Sequence, residues 1–332
     1  RMKISLCIPT YNRAHHLKNC LNSIIAVYKK TNFNFQVCIS DNNSTDNTLD
    51  IVNEAKKEID IKYFKNEKNL GIPKNFINVV NMADGEFVWL IGDDDLLVNG
   101  SLNRLNNLIK QNPNVDFFYV NSFHLNTEYV FSFDQPFNIN NLPLEMEPFS
   151  KYTKDGELDF LDLINPEISF DFLGGMFLSV FRKSKWLKNI NSINKIALNS
   201  DKVFSHFDNT FPHVKIFSKA FAKSKAYFNS KPLIVCLTGA REWAPMYPFI
   251  RSVRLIEALE EYKKNGLPFN KYYASRNYAL RTFIPDLMWM ILNYKKSGIE
   301  YIKPLNHVMF NLIYPNTFLS IFYYIRRKLS LK

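Results

Sequence analysis

The stretch "EFVWLIGDDDLL", residues 86–97, runs from an apolar segment directly into three adjacent aspartates. The apolar part has the composition of a buried β-strand, whereas Asp93, Asp94 and Asp95 repel one another because three carboxylates share a short piece of backbone. Mg²⁺ or Mn²⁺ would offset this repulsion, since such ions are held by carboxylates together with phosphate oxygens. The alternative is a polar turn that caps the following helix.

Predicted strands and helices alternate on both sides of this stretch. The predicted strands are 3–10, 35–40, 61–66, 86–92 and 116–125, and the helices between them are 13–30, 43–59, 72–83 and 100–111. This alternation predicts an α/β fold with a mostly parallel central sheet. In such sheets ligands bind at the carboxyl ends of the strands, where the aspartate triplet lies.

The rest of the chain divides less regularly. Residues 126–160 carry three prolines and predict an excursion over the site, "SFDFLGGMFLSVFRKSKW" (169–186) has strand character, and the pattern becomes helical and aromatic from about residue 250. We therefore predict one domain in two halves, a nucleotide-binding half at 1–125 and an acceptor-binding half at 126–245, followed by a C-terminal helical extension, 246–332.

Composition limits the partners. The formal charge is +11, yet no stretch alternates basic and aromatic residues as a nucleic-acid platform does, so we expect no nucleic acid and rank anionic membrane or a phosphorylated small molecule first. The four cysteines show no metal-binding spacing, and no signal peptide or membrane span is evident, which predicts a cytoplasmic protein. The C-terminal "FLSIFYYIRRKLSLK" fits either a peripheral helix on the inner membrane or a core helix with a basic end.

Each of the first four predicted strands is followed by a small, polar segment. These segments are "PTYNR" (9–13), "SDNNSTD" (40–46), "NEKNLGIPKN" (66–75) and "GDDD" (92–95). Because the ends of parallel strands meet at one edge of the sheet, the four segments together predict a nucleotide pocket.

The ordered set "CIPTYNR", "SDNNSTDNT", "NLGIPKN" and "LIGDDDLL" resembles the nucleotide-sugar domain of glycosyltransferase family 2. The resemblance is close over residues 3–125, looser over 165–240, and absent beyond. It implies the GT-A fold, which is Rossmann-like, an inverting transfer from a nucleotide-diphosphate donor, usually a UDP-sugar, and a divalent metal ion.

The resemblance also implies roles for individual positions. Those matching the nucleotide-sugar loops are Pro9, Thr10, Tyr11, Arg13, Asp41, Asn43, Asn69, Gly71, Lys74, Asp93 and Asp94. Asp93 and Asp95 match the metal-binding pair. The chain departs from the family at Gly92, where the aspartate pattern usually begins, and at Asn42 and Asn43, where a second Asp and a Gly are common. Because of these departures, the sequence leaves open which of the aspartates bind the metal ion and which base the nucleotide carries.

An inverting transfer needs a carboxylate base on the acceptor side. The segment "FLGGMF" matches the acceptor segment and implies acceptor-binding roles for Gly174 and Gly175, but the "ED" that often follows in the family is missing. We predict Asp208 as the base and Asp201 as the second candidate; Glu167 and Asp171 are the carboxylates upstream. Either candidate could instead be a helix cap or an exposed acid.

Three further side chains are candidates for binding a metal ion or a substrate, and each also has a purely structural interpretation. His213 is a possible third metal ligand or a structural histidine. Arg241 could clamp a diphosphate and Trp243 could stack on an acceptor sugar, or both could belong to a surface loop.

The sequence thus predicts an inverting glycosyltransferase that extends a bacterial surface glycan, such as a capsule, a lipooligosaccharide or a lipid-linked oligosaccharide. Two other functions stay open. One is a non-catalytic nucleotide-sugar-binding module, which the missing "ED" allows, and the other is a nucleotidyltransferase, which would normally carry a Gly-rich phosphate loop that "IPTYNRAHH" lacks.

Overall fold

The computed structural model describes residues 4–200, 202–239 and 243–330. Its strands, in chain order, are β1 (Ile4–Thr10), β2 (Gln36–Asp41), β3 (Ile61–Lys65), β4 (Phe87–Leu90), β5 (Leu96–Leu97), β6 (Phe117–Asn126), β7 (Gly156–Asp159), β8 (Ser179–Arg182) and β9 (Lys225–Thr238). Its helices are α1 (Ala14–Tyr28), α2 (Thr48–Ala55), α3 (Ile72–Met82), α4 (Ser101–Gln111), α5 (Thr127–Phe131), α6 (Pro166–Ser169), α7 (Lys183–Asn189), α8 (Lys195–Leu198), α9 (Phe207–Thr210), α10 (Pro212–Ala220), α11 (Tyr247–Phe249), α12 (Leu255–Lys264), α13 (Phe269–Ala279), α14 (Phe283–Leu292), α15 (Pro304–His307) and α16 (Pro315–Ser330).

The described strands form one mixed sheet in the order β3-β2-β1-β4-β8-β6-β9-β5, with β7 paired to β9. Strands β3, β2, β1 and β4 are parallel, so their carboxyl ends lie at one edge. Strand β8 runs antiparallel between β4 and β6, which leaves β6 and its parallel partner β9 pointing the same way as β4. The polar segments after β1 to β4 and the carboxyl end of β6 therefore share one edge. The predicted α/β fold with a central sheet is confirmed.

Both faces of the sheet are covered, because alternate residues of each strand point to opposite sides. Leu6 and Ile8 of β1 belong to one hydrophobic cluster, which also takes in the apolar faces of α1, α2 and α4. Cys7, between them, belongs to the other cluster, with side chains of α3, α10 and α12. The residues of β1 are buried throughout, as a central parallel strand requires.

The middle of the chain differs from the sequence prediction. Only Ser179–Arg182 of the segment 169–186 is a strand, because the N–H groups of Gly174 and Gly175 both donate to the Asp171 carbonyl and close a tight turn before it. Residues 126–160 pack against the domain instead of forming a loose excursion. Phe137 is fully buried, and its N–H donates to the side chain of Asn19 on α1.

The region after residue 246 is helical, as predicted. Helix α16 packs on this region through its small polar side chains: Thr317 and Ser320 are fully buried. The Thr317 hydroxyl donates to the Asn311 carbonyl at 2.6 Å, and the Ser320 hydroxyl accepts from the Ile284 N–H at 3.2 Å. The apolar side chains of α16 are left on the outside.

A helix that crosses a bilayer needs both sufficient length and sufficient hydropathy. Within residues 4–200, 202–239 and 243–330, no single helix meets both requirements. The pair Pro304–Asn311 and Pro315–Ser330 meets them jointly, with a bend of 79° between the two parts.

Candidate active site

The centre of the candidate site joins the end of β1 to the turn after β4. The Thr10 hydroxyl donates to Asp93 at 2.8 Å. Arg13 contacts two of the three carboxylates. Its Nε lies 3.2 Å from Asp93 Oδ1, and its Nη2 lies 2.7 Å from Asp94 Oδ2. Asp95 turns back and accepts the Gly92 N–H at 2.7 Å. The structure thus brings together side chains that the sequence placed some eighty residues apart.

The electrostatics of this centre follow from burial. Asp93, Asp94 and Asp95 are each less than 10% exposed. Burial raises the pKa of Asp93 to about 7, and the neighbouring Asp94 charge acts in the same direction while the Arg13 guanidinium opposes it. The pKa of Arg13 lies above its usual value, because the attraction of Asp93 and Asp94 outweighs the effect of its own burial. The carboxylates therefore sit in a pocket that favours an added positive charge.

The departure from the family at Gly92 has a steric explanation. A Cβ at this position would lie 2.7 Å from Asp94 Oδ1 and 3.1 Å from Asp95 Oδ2. The turn is therefore closed so tightly that the two following carboxylates occupy the space of a side chain. An aspartate at Gly92 would have to displace them.

The segment after β2 is organised around Asp41. This residue is 1% exposed, and its two oxygens accept from the Ser44 N–H at 2.8 Å and from the Tyr63 hydroxyl at 2.7 Å. Asn43 takes a left-handed backbone conformation with φ of 69°, which asparagine tolerates better than most residues. The contacts of Asp41 hold the loop, and its implied role in binding the nucleotide sugar stays a prediction.

Asn42, the other departure in this segment, is also explained by its contacts. Its Nδ2 donates to Asn69 Oδ1 at 2.7 Å, while its Oδ1 accepts from the Leu70 N–H at 2.8 Å. An aspartate at position 42 would offer no donor to Asn69. The loop after β2 and the loop before α3 are thus joined by an amide pair that the more common carboxylate cannot form.

The N-terminal end of α3 faces the same loops. Gly71 precedes the helix with φ of 82°, a conformation that favours glycine, and Asn69 accepts its N–H at 2.8 Å. Lys74 lies in the first turn, half-buried, and forms no ion pair or hydrogen bond with the residues that the structure describes. Its charge is therefore available to an anion at the helix N-terminus.

Two residues that the sequence analysis overlooked hold these loops together. Asn75 Nδ2 donates to the carbonyls of Ser40, at 2.9 Å, and Thr10, at 3.4 Å, so one buried amide connects α3 with the ends of β2 and β1. Tyr63 fixes Asp41 from β3. Asn75 lies in the quoted motif "NLGIPKN", so its place in that motif was the available signal, whereas nothing in the sequence marks Tyr63.

The remaining nucleotide-loop predictions are placed as follows. Pro9 is buried within β1, where it lies opposite Ser40 of β2. Tyr11 is 43% exposed beside the cluster. The exposed ring of Tyr11 and the unpaired Lys74 are the features of this edge that a ligand could contact directly.

The aspartates offer carboxylate oxygens, which are the ligands that Mg²⁺ and Mn²⁺ prefer, so their chemistry fits the predicted ion. No three His, Cys, Asp or Glu side chains converge as a complete ligand set within the described part of the chain. Such an incomplete set is the usual form of a site that shares its ion with substrate phosphates. His213 is not brought to the aspartates.

His213 is enclosed in the aromatic core instead. It is 1% exposed, and its ring lies 5.9 Å from that of Phe211 and 5.4 Å from that of Phe217, centroid to centroid. Burial lowers the pKa of His213 to about 3, which keeps the ring neutral. The geometry therefore supports the structural alternative for this residue and corrects the metal-ligand prediction.

Asp208, the predicted base, is fully engaged inside the protein. It is 5% exposed, its Oδ1 lies 2.7 Å from Lys215 Nζ, and its Oδ2 accepts the Asn194 N–H at 2.6 Å. These contacts give Asp208 a structural explanation, and its role as a base stays a prediction. Asp201, the second candidate, lies outside the described residues, as does Arg241.

The predicted acceptor segment is packed closely. A Cβ on Gly174 would lie 3.1 Å from the Phe211 ring, and one on Gly175 would lie 2.9 Å from the Asp171 carbonyl. The indole of Trp89 on β4 donates to the Phe177 carbonyl at 2.8 Å, which fixes the segment at the edge of the sheet. Trp243 packs its ring against that of Phe204, at 5.6 Å.

Comparisons with known proteins agree with this architecture. The model of glycosyl transferase family 2 matches residues 5–160. Abequosyltransferase RfbV of Salmonella typhimurium is 29% identical over 255 residues, which make up 71% of this chain and 66% of that protein. A GalNAc(5)-diNAcBac-PP-undecaprenol beta-1,3-glucosyltransferase of Campylobacter jejuni is 37% identical over 106 residues, 31% of this chain and 33% of that protein. The chain thus spans less than two thirds of either relative.

Among solved structures, Staphylococcus aureus TarS 1–349 in complex with UDP superposes with a TM-score of 0.55 at 19% identity, over 86% of this chain and 72% of that one. At this identity the likeness concerns the fold. The four motifs assembled at one edge of the GT-A sheet all lie within residues 5–160, the part of the chain that matches the model of glycosyl transferase family 2.

Proposed function

We propose that the protein is an inverting glycosyltransferase that moves a sugar from a nucleotide-diphosphate donor, a UDP-sugar in the first instance, to a hydroxyl group of a bacterial surface glycan. The observation that carries the proposal is the cluster of Thr10, Arg13, Asp93 and Asp94 at the carboxyl edge of the sheet. A metal-assisted direct displacement with a carboxylate base is the chemistry that this cluster supports.

Different residues at the carboxyl edge of the sheet would bind the diphosphate and the nucleoside of the donor. Lys74, at the N-terminus of α3, and Arg13 supply positive charge to the diphosphate, whose negative charge grows as the bond to the sugar breaks. The loops after β2 and before α3, joined by Asn42 and Asn69, hold the nucleoside. The proposal leaves the identity of the base and sugar to experiment.

Asp93 and Asp95 would hold the Mg²⁺ or Mn²⁺ ion, with Asp94 keeping Arg13 in place. When bound, the ion supplies Lewis-acid stabilisation to the leaving diphosphate. The chain's own part is to present carboxylates whose burial makes an uncompensated negative charge costly, which favours binding of the ion together with the nucleotide.

A panel of nucleotide sugars tests the donor. A ligand that binds only the folded protein raises its midpoint of thermal unfolding in proportion to RT ln(1 + [L]/Kd), about 2.7 kcal/mol of stabilisation at a hundredfold excess over Kd. We expect one or more UDP-sugars to raise the midpoint in the presence of Mn²⁺, and EDTA to cancel most of the rise. A panel without any stabilising nucleotide sugar would contradict the proposal.

We also propose that the protein acts at the inner membrane, where the C-terminal helices rest on anionic lipid. Helix α16 buries two small polar side chains, Thr317 and Ser320, and leaves its apolar side chains outside, the reverse of a helix on a water-facing surface. Its exposed apolar residues are Phe318, Leu319, Ile321, Phe322, Ile325 and Leu329. Arg326, Arg327 and Lys328 follow them, and α16 carries no acidic residue. Apolar and basic side chains on one helix favour an anionic lipid surface.

The name of one relative agrees with a membrane location, because the Campylobacter jejuni protein is named for an undecaprenol-linked acceptor. The test is sedimentation with phosphatidylglycerol vesicles. We expect a variant with Phe318→Ser, Phe322→Ser and Ile325→Ser to bind these vesicles at least tenfold more weakly than the unaltered protein, since each buried CH₂ is worth about 0.8 kcal/mol.

The matched control replaces three exposed apolar side chains elsewhere, Phe64, Leu144 and Ile196, by serine. Binding of the control variant is expected to equal that of the unaltered protein and to weaken with added salt. Equal binding by the α16 variant would exclude this face as the lipid contact.

A further inference from the structure

A cleft of about 440 Å³ opens beside the edge that carries the aspartates. Its walls come from the carboxyl end of β6, from the segment 147–151, from the segment 166–171 and from the end of α13. The volume falls within the range of about 300–1,000 Å³ that is usual for small-molecule sites. The side chains that matter below are His124, Phe149, Phe170, Asp171, Tyr278 and Arg281.

The register of the sheet places this cleft level with the aspartate triplet. Leu96 of β5 lies opposite Val235 of β9, which lies opposite Phe123 of β6. Because β5 is antiparallel to β9, the residue before Leu96, which is Asp95, is level with His124. Two strand spacings separate them, about 10 Å. The cleft is thus a neighbour of the proposed nucleotide-sugar site within the same sheet.

Three carboxylates line the cleft, those of Glu147, Glu167 and Asp171. Glu147 is paired with Lys151, and Asp171 differs from Glu167 in that the glycine turn of the acceptor segment holds its backbone. Asp171 is therefore the carboxylate considered as the base. Unlike Asp41 and Asp208, it receives no hydrogen bond or ion pair from another side chain of the described residues. Its side chain is accessible through the mouth of the cleft. The loss of water around the carboxylate raises the pKa of Asp171, and the charges of His124 and Arg281 oppose this effect. A raised pKa suits a group that must accept a proton near neutral pH.

The position of Asp171 is fixed by its backbone. Its carbonyl accepts the N–H groups of Gly174, at 3.2 Å, and Gly175, at 2.7 Å, so the glycines of the acceptor segment hold the residue that bears the carboxylate. The Trp89 indole anchors the same segment to β4. A base must be held in place relative to the donor, and these contacts tie Asp171 to the strand that delivers the aspartates.

The other walls of the cleft suit a sugar ring. The Arg281 guanidinium lies 3.8 Å from the centroid of the Tyr278 ring and 5.6 Å from that of Phe170. The His124 ring stacks on Phe149 with centroids 3.4 Å apart. Flat aromatic surfaces with a few charged hydrogen-bonding groups between them are a common lining for a polyhydroxylated ligand.

We propose that this cleft binds the acceptor sugar of the glycan and that Asp171 is the general base of the transfer, which rests on the proposed function above. The acceptor oxygen forms a bond to the anomeric carbon of the donor while its proton passes to a carboxylate oxygen of Asp171. The bond from that carbon to the diphosphate oxygen breaks, and its electron pair leaves with the diphosphate. Tyr278 and Arg281 position the acceptor.

The experiment compares Asp171→Asn with the unaltered protein. Release of UDP is measured from the UDP-sugar that gives the largest thermal shift, with a panel of p-nitrophenyl glycosides as acceptors and with water alone. We expect kcat to fall about a hundredfold, as loss of a general base typically produces, while the donor's thermal shift is unchanged. Tyr278→Ala is expected to raise the KM for the acceptor about tenfold and to leave kcat within threefold.

Controls separate this assignment from its alternatives. Asp60→Asn, at an exposed acid before β3, is expected to leave both parameters unchanged. Asp208→Asn is expected to lower the midpoint of thermal unfolding, because it removes the charge that pairs with Lys215. Full activity of Asp171→Asn, or a hundredfold loss confined to Asp201→Asn or Asp208→Asn, would overturn the proposal. If the unaltered protein releases no UDP from any donor, the proposed function itself fails.

Discussion

Replacing Asp93 by asparagine is expected to lower the rate of sugar transfer about a thousandfold, at the upper end of the loss that follows removal of one group that stabilises charge in a transition state. Asp93 contacts both Thr10 and Arg13, so it connects the end of β1 to the turn after β4. An asparagine keeps the size of the side chain and can still accept the Thr10 hydroxyl. It removes the negative charge that the metal ion and Arg13 require.

The measurement is the initial rate of UDP release at saturating donor, together with the midpoint of thermal unfolding. We expect the midpoint to change by only a few degrees, because asparagine fits the same space. The matched control is Asp159→Asn, at an exposed aspartate that pairs with Lys225, and its rate is expected to stay within twofold. A rate for Asp93→Asn within tenfold of the unaltered protein would show that this carboxylate does not act in the reaction.

Replacing Asp286 by alanine is expected to lower the free energy of unfolding by about 3 kcal/mol, because it leaves a largely buried arginine without its partner. Asp286 is 2% exposed and lies at the start of α14. Its Oδ2 accepts from Arg251 Nε at 2.7 Å, from the Ser252 hydroxyl at 2.6 Å and from the Thr282 hydroxyl at 2.9 Å. One carboxylate therefore joins three parts of the C-terminal helical region.

Urea denaturation followed by tryptophan fluorescence measures this effect. Glu58→Ala, which breaks the exposed pair with Lys29, is the control and is expected to cost about 1 kcal/mol or less. Asp286→Asn is expected to fall between the two, since asparagine keeps acceptor oxygens without the charge. A loss of under about 1 kcal/mol for Asp286→Ala would mean that Arg251 finds water as an adequate substitute.

The first half of the fold could be predicted from the sequence because most of its strands are apolar and buried and because they alternate with amphipathic helices. The predicted strand 3–10 and the observed Ile4–Thr10 agree almost to the residue, and the predicted 116–125 matches Phe117–Asn126. The strands Leu96–Leu97 and Gly156–Asp159 could not be predicted, since they are short and exist through pairing with β9. Pairing across more than sixty residues leaves no local pattern.

The candidate site shows the same division. Residues in motifs at strand ends, such as Arg13 and Asp93, could be placed because topology brings those ends together. The burial of His213 could not, because it depends on Phe211 and Phe217 closing around the ring. Nor could the sequence distinguish Asp171 from Asp208 as a base. The difference is that Asp208 forms an ion pair with Lys215 within the protein, and the sequence does not reveal this contact.

The inverted packing of α16 has a consequence for the length of the acceptor. Asn316 at its start donates to Asn277, the neighbour of Tyr278 in the cleft wall, through its N–H at 3.0 Å and its side chain at 2.9 Å. One helix, about 10 Å across, thus separates the lipid-facing side chains from the wall of the cleft. With α16 resting on the bilayer, the cleft would lie at a fixed distance from the membrane surface. The protein would then select an acceptor sugar that lies at a set distance from its lipid anchor.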